Sequence, residues 1–297
     1  MKSFISFEVG GTNIRFGIVR EDLKLMSFDR LPTDRLSKAQ NKISFFSSII
    51  RDLIKKSTVK NITAVTFALA SLMDRDRTYI YSSPMIDGFD NIAFKSELEK
   101  EFSFPVILEK DVNILLLYEI YKNKLPLKGI ITGFFLGTGV GNSISIDGKI
   151  YVGNSGAACE LGHIPLYSNT EFCKCGKKGC VETKASGRVL EQFASDFFHC
   201  PIKEIFKLHG ESPEIVEVIE CFATAIATEI GIIDPYCIIL GGGLINMENF
   251  PKELLISRIK SHLRIPYPRD SLEFLFASSD AEAGVIGAVI HAQNILH

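Results

Sequence analysis

The chain contains no tryptophan, and its 297 residues hold no run of about 18 apolar residues and no block of charge of one sign. Without such an apolar run, no membrane-spanning helix is expected. The 33 basic and 35 acidic residues are interspersed and leave a formal net charge of −2, so no electrostatic footprint for nucleic acid or an anionic membrane is seen. The stretch from Met1 to Glu8 meets a carboxylate too early for a signal-peptide core, and no small-residue cleavage site follows, so a cytoplasmic protein is expected. Cysteine is sparse: seven residues, an odd number, argue against a disulfide framework. The lysine-bearing phosphate loop and the dinucleotide fingerprint are also missing, which leaves both of those nucleotide folds unsupported.

What is present is enough to build a large core. With 46% apolar residues and no low-complexity linker, the chain can form two domains or one large one. Phe4 to Val9, Arg15 to Val19 and Leu25 to Leu31 read as three short strands in an antiparallel meander. A helix fits Ala39 to Lys56, with Ile43, Phe46, Ile49, Ile50 and Leu53 on one face, and Ile62 to Ala68 reads as a buried strand. Pro105 to Glu109 reads as another strand, with a helix from Asp111 to Tyr121 directly after it. The pattern then restarts with strands at Ile130 to Leu136, Ser143 to Ile146 and Lys149 to Val152. A helix over Pro213 to Ile230, a strand over Cys237 to Leu240 and a closing helix over Glu282 to Ile295 follow. Two α/β lobes of similar plan are expected.

Three glycine turns each sit at a strand end. They are Gly10-Gly11-Thr12-Asn13 after Glu8, Gly137-Thr138-Gly139-Val140-Gly141, and Gly241-Gly242-Gly243. Bare backbone there suits close approach of N–H groups to phosphate, although a lone Gly-Gly turn equally makes a plain hairpin. A second cluster is Cys173, Cys175 and Cys180 with His163 ahead of them. Three thiolates and an imidazole are the ligand set of a closed tetrahedral structural zinc, the alternative being free cysteines. Lys174, Lys177 and Lys178 beside them would favour thiolates.

Asp111 stands at the mouth of a helix. It can cap that helix, or serve as a general base toward an attacking hydroxyl, or do both. Glu160 and Glu182 flank the cysteine segment and, taken by themselves, read equally as solvated surface charges.

Together these motifs resemble the family of repressors, open reading frames and kinases called ROK, over nearly the whole chain. Glu8 to Gly17 is similar to its first phosphate motif, Phe135 to Gly141 to its second, Leu240 to Leu244 to its adenosine motif, and Cys173 to Glu182 to its zinc signature. The resemblance implies the two-lobed actin-like (ribonuclease H-like) ATPase fold with an active site in the cleft. A small lobe would span 1–112, a larger one 113–282 with a zinc segment over 163–180, and a terminal helix over 283–297 would pack back on the first. It further implies ATP with Mg2+ held by Glu8, Gly10, Gly11, Thr12, Asn13, Arg15, Gly137, Thr138, Gly139, Gly241, Gly242 and Gly243. Asp111 would be the catalytic base, with Asn113 in the same motif. Ser71, Lys110, Asp111, Glu160, His163 and Glu182 would bind sugar, and His163, Cys173, Cys175 and Cys180 would bind zinc. A homodimer is implied as well.

Three departures stand out. Glu8 occupies the place of the usual Asp, Lys110 that of an Asn, and Ala70-Ser71 that of Pro-Gly. The last two resemble the D-allose kinase branch, so phosphorylation of the 6-hydroxyl of D-allose is expected first, with glucose, an N-acylhexosamine or a β-glucoside as alternatives. A sugar-sensing regulator of the same family is the further alternative; it would carry a helix-turn-helix ahead of the first motif, and with that motif beginning at residue 8 a kinase is expected instead.

Overall fold

A computed structural model describes residues 2–57, 59 and 61–296. The chain separates into two compact units, Met1–Leu125 with Val152–Ala158 and Ser279–His297, and Pro126–Tyr151 with Cys159–Ser278.

The first unit begins with β1 (Ser3–Val9), β2 (Asn13–Arg20) and β3 (Leu25–Pro32), an antiparallel meander. The chain continues through α1 (Asp34–Lys38), α2 (Lys42–Lys56), β4 (Ile62–Leu69) and a small hairpin of β5 (Leu72–Met73) and β6 (Ile80–Ser82). Then come α3 (Phe94–Glu99), β7 (Val106–Lys110) and α4 (Asp111–Lys122). The sheet runs β3-β2-β1-β4-β7, with β4 parallel to both β1 and β7. On one face Phe7 stacks on Phe67 with centroids 4.7 Å apart, and Phe46 of α2 meets Phe67 edge-on at 5.1 Å. Burial of such rings, with the aliphatic residues around them, contributes to this unit's cohesion.

The C-terminal helix, Ala283–Leu296, covers the other face. Val285, Val289 and Ala292 join Phe4, Val19, Ala64 and Ile107 in one apolar cluster, and Ser6 Oγ donates to the Val285 carbonyl at 2.7 Å. His297, the end of the expected terminal helix, lies outside the described residues, as does Met1.

The second unit repeats the sheet plan. Its strands β8 (Ile130–Leu136), β9 (Val140–Ile146), β10 (Lys149–Ile150), β11 (Cys237–Gly241) and β12 (Glu273–Phe276) are ordered β10-β9-β8-β11-β12. Helices α5 (Gly187–Gln192), α6 (Ile205–His209), α7 (Pro213–Ile233) and α8 (Lys252–His262) accompany them, and the C-terminal helix is α9. In α7, Ile215, Ile219, Phe222 and Ile226 are fully buried and join Ile238 and Leu240 in the core. Ser212 caps its start by accepting from Ile215 N–H, and Pro213 fits the first turn, where no amide proton is needed. An antiparallel meander followed by parallel strands, present twice, is the duplicated plan of the actin-like ATPase fold. Among the described residues no helix is long and apolar enough to cross a membrane.

Several expected boundaries move. The helix expected from Ala39 begins at Lys42, because Asn41 takes an extended conformation and accepts from Ser44 N–H at 2.9 Å, which sets the start. Strand β9 begins at Val140, so the last two residues of the glycine turn 137–141 are ladder-paired. Strand β10 ends at Ile150 rather than Val152, and residues 152–158 group with the first unit. Compactness divides the chain after Leu125 rather than at residue 112, because α4 packs on α9, its Ile114 and Tyr118 lying against Gly287.

Candidate active site

In the first unit, the β1–β2 register sets Glu8 directly opposite Arg15, and their side chains meet at 3.0 Å. Burial pushes the Glu8 carboxyl above its ordinary range, the Arg15 guanidinium opposes this, and the charge of Asp111 adds to the rise. The Gly10–Asn13 turn closes through Gly10 N–H to the Asn13 carbonyl at 3.1 Å, and Thr33 Oγ1 anchors the Gly10 carbonyl at 2.7 Å. Glu8, the first turn and Arg15 are thus assembled by one hairpin.

Strand β7 passes straight into α4, with Lys110 extended in the cap position and Asp111 the first helical residue. Asp111 is therefore not the cap that one reading of the sequence allows. Its Oδ1 accepts the N–H of Val112 at 2.8 Å. Lys110 is buried, and its Nζ reaches the Ala158 carbonyl at 3.4 Å. Ser71 is buried too, and its hydroxyl is hydrogen-bonded to that of Ser83 at 2.6 Å, either one being the donor.

In the second unit the glycines of the two loops differ in what surrounds them. A Cβ at Gly241 would lie 2.5 Å from Ala277 Cβ, and one at Gly242 would lie 2.4 Å from the Leu136 carbonyl oxygen. With φ at +99°, Gly242 also needs a conformation that L side chains avoid. Packing explains both residues. A Cβ at Gly137 or at Gly243, by contrast, would meet nothing within 4 Å among the described residues, and neither has a positive φ. Among the described residues no packing contact requires glycine at those two positions, and their backbone is open to a ligand. The Leu136 carbonyl accepts from Leu244 N–H at 3.0 Å, which brings the third glycine loop against the second. Gly187 N–H holds the Gly137 carbonyl at 2.8 Å.

The cysteine segment folds as a knuckle. Leu166 N–H donates to Gly179 at 2.8 Å, Cys173 N–H to Lys177 at 2.8 Å, and Val181 N–H to Ile164 at 3.1 Å. These bonds gather His163, Cys173, Cys175 and Cys180 so that one ligand atom from each lies within 4.8 Å of the others. Cys175 and Cys180 sulfurs are 3.5 Å apart, and Cys173 Sγ is 3.6 Å from His163 Nδ1. A tetrahedron with zinc bonds of about 2.0–2.3 Å has edges of roughly 3.3–3.8 Å; these two separations meet that range, and the donor set is consistent with that ion. With Nδ1 turned to the sulfurs, Nε2 faces Glu160 at 3.8 Å.

Glu182 lies beside the same knuckle and is not a solvated surface charge. It is 9% exposed, accepts from Arg188 at 3.0 Å, and sits 3.9 Å from His163 Nδ1. Its Oε2 would be 2.9 Å from a Cβ at Gly139, so the second glycine loop and the knuckle share it. Arg188 escaped the sequence reading. Its only signal is a cation six residues after Glu182, which by itself is unremarkable.

The ROK family profile matches residues 4–295. An N-acetyl-D-glucosamine kinase of Photobacterium profundum is 29% identical over 278 residues, covering 88% of this chain and 90% of that protein. A glucokinase of Thermotoga maritima is 25% identical over 308 residues, with 96% and 95% covered. The crystal structure of a ROK family glucokinase from Streptomyces griseus, in complex with glucose and AMPPNP, superposes with a TM-score of 0.79 at 24% identity, covering 98% of this chain and 99% of that one. At that identity the likeness speaks for the fold alone.

Proposed function

The chain belongs to the ROK family, and on that premise we propose that it is an ATP-dependent sugar kinase acting on the 6-hydroxyl of an aldohexose, D-allose first. The observation that carries the kinase reading is the pair of glycines, Gly137 and Gly243, whose Cβ positions are open although the fold itself does not need them bare. Backbone left clear in this way suits phosphates and the nucleoside that bears them.

In this reading Asp111 accepts the proton of the attacking hydroxyl as its oxygen bonds to the γ-phosphorus and the bond to the ADP oxygen breaks. The proton then leaves to solvent with the products. Gly10 to Asn13 and Gly137 to Gly139 hold the phosphates, and Gly241 to Gly243 the adenosine. Magnesium, when bound with ATP, neutralises the phosphate charge, and Glu8 is the residue that would orient it. The pairing of Glu8 with Arg15 means that this carboxylate already has one cation beside it.

Glu160, Glu182 and the Nε2 of His163 are assigned to sugar hydroxyls, and zinc on Nδ1 would fix the imidazole for that purpose. The ion would otherwise be structural, closed by Cys173, Cys175 and Cys180. A cytoplasmic homodimer is proposed on the family resemblance, and a mass measurement in solution tests the dimer.

D-allose rests on Lys110 and Ser71. D-allose differs from D-glucose only in the direction of the hydroxyl at carbon 3, and a site that pairs one direction leaves its own polar groups unpaired with the other. Lys110 supplies a donor-only cation where an amide is usual, and in the Ser71–Ser83 pair one hydroxyl keeps a free proton. N-acetyl-D-glucosamine is the second reading, favoured by the name of the 29% identical relative.

A panel of aldohexoses and N-acylhexosamines with ATP and Mg2+ separates the two. We expect kcat/KM for D-allose at least about tenfold above D-glucose, about 1.4 kcal/mol of transition-state binding. A better rate with N-acetyl-D-glucosamine or glucose overturns the allose assignment, and no sugar-dependent ADP release with any of them overturns the kinase.

A further inference from the structure

One oxygen atom gathers the chain on both sides of Asp111. Glu109, just before the end of β7, is 3% exposed. Its Oε1 accepts from the Lys110 backbone N–H at 2.8 Å, from Asn113 Nδ2 at 2.9 Å and from Arg77 Nε at 2.8 Å. The peptide ahead of Asp111 and a side chain of the first turn behind it are therefore tied to a single point. Arg77 is itself held, with Nη1 donating to the carbonyls of Asp74 and Gly156, each at 3.0 Å.

The cluster is a poor device for stability. A carboxylate and a guanidinium are both withdrawn from water, and well-packed apolar residues commonly replace such pairs without loss. Its polar atoms are not all satisfied either, since Arg77 Nη2 and His291 Nε2 are buried with no hydrogen-bond partner among the described residues. His291 Nε2 lies 3.7 Å from Glu109 Oε2. Burial holds the His291 imidazole below its ordinary range, so Arg77 is the cation that balances Glu109. A costly, incompletely satisfied network is retained directly behind the group that does the chemistry.

We infer that Glu109 is a positioning residue for Asp111, with Arg77 as its buried counter-ion. Glu109 fixes where β7 ends and α4 begins, and so fixes the origin of the Asp111 side chain. Misplacement of a reacting group by about 1 Å can cost on the order of 10²-fold in rate. The inference rests on Asp111 being the base.

The test removes both charges together, in Arg77→Met/Glu109→Gln, and measures kcat and KM with the best sugar of the panel and ATP. The expected result is a folded protein whose kcat falls about 10–100-fold while both KM values stay within about threefold. In an Asp111→Asn background the same pair of changes should cost less than about twofold, because the base it positions is gone. A folded pair variant with wild-type kcat overturns the inference, and so does an equal loss in both backgrounds.

Should the pair variant not fold, Glu109→Asp keeps the charge beside Arg77 but cannot reach all three donors at once. A lowered kcat with unchanged KM supports the inference, and a wild-type kcat overturns it. The two readings fail separately. Asp111→Asn with full turnover overturns the base and this inference with it, whereas an inactive Asp111→Asn beside a fully active pair variant overturns the inference alone.

Discussion

The carboxyl carbon of Glu8 lies 2.5 Å from the point where a Cβ on Gly284 would stand, so the longer acid at position 8 and the bare backbone at 284 are one arrangement. Helix α9 can start beside β1 only because position 284 carries no side chain. Gly284→Ala should overpack this spot and lower stability by about 1–3 kcal/mol. Glu8→Ala, which removes the Cγ, Cδ and Oε2 atoms that crowd this spot, should restore part of that loss. Denaturant melts of the two single variants and the double variant test the coupling, and additive effects would mean that the two positions do not share space.

Gly137→Ala separates a ligand role from a folding role. Its Cβ would meet no protein atom within 4 Å, so the melting temperature should be unchanged. The KM for ATP should rise because the added methyl crowds the phosphates. An unaltered KM for ATP would remove the second glycine turn from the nucleotide site.

The zinc reading makes an analytical prediction. One ion per chain should be found by elemental analysis, and Cys175→Ala should lose both the metal and the activity. The activity is expected to go because His163 and Glu182 share the knuckle with the cysteines. Chelator-washed protein that is active and metal-free would overturn the assignment.

Asp111→Asn keeps the side-chain shape but cannot take up a proton. Turnover should fall by on the order of 10²–10⁴-fold, with sugar binding, followed by calorimetry, retained. Retained turnover would reduce Asp111 to the residue that accepts Val112 N–H at the start of α4.

His291 gives a stability prediction with a definite sign. Burial depresses its folded-state value below the ordinary imidazole range, with Glu109 opposing and Arg77 reinforcing the shift. As pH falls through about 6.5 the unfolded chain takes up a proton that the folded chain refuses. The stability that depends on neutral His291 is thus complete above that pH and is lost on acidification below it. Melting temperatures measured from pH 7.5 to 5 should fall less steeply for His291→Gln than for wild type, and parallel curves would contradict the assignment.

The sequence by itself determined what local chemistry can carry. The three short strands and tight connections from Phe4 to Leu31 specify a meander, whose register in the structure sets Glu8 against Arg15. The spacing of Cys173, Cys175 and Cys180 lies within one short knuckle, and Pro213 after Ser212 announces α7. Elements with little pattern of their own were not legible. Helix α8 is short and fully buries only Leu255 and Ile259, with Leu254 and Ile256 partly covered, and β12 is four residues long.

Only the tertiary structure decided the rest, because the groups concerned come from distant parts of the chain. Arg77 and His291 reach Glu109 from the loop after β5 and from α9, and neither carries a mark of that role in its own neighbourhood. Burial is likewise a property of the assembled fold. It turns Glu182 from an ordinary surface charge into a partner of Arg188, His163 and the Gly139 turn. It also distinguishes Gly242, held by its own packing, from Gly137 and Gly243, which have open space beside them among the described residues.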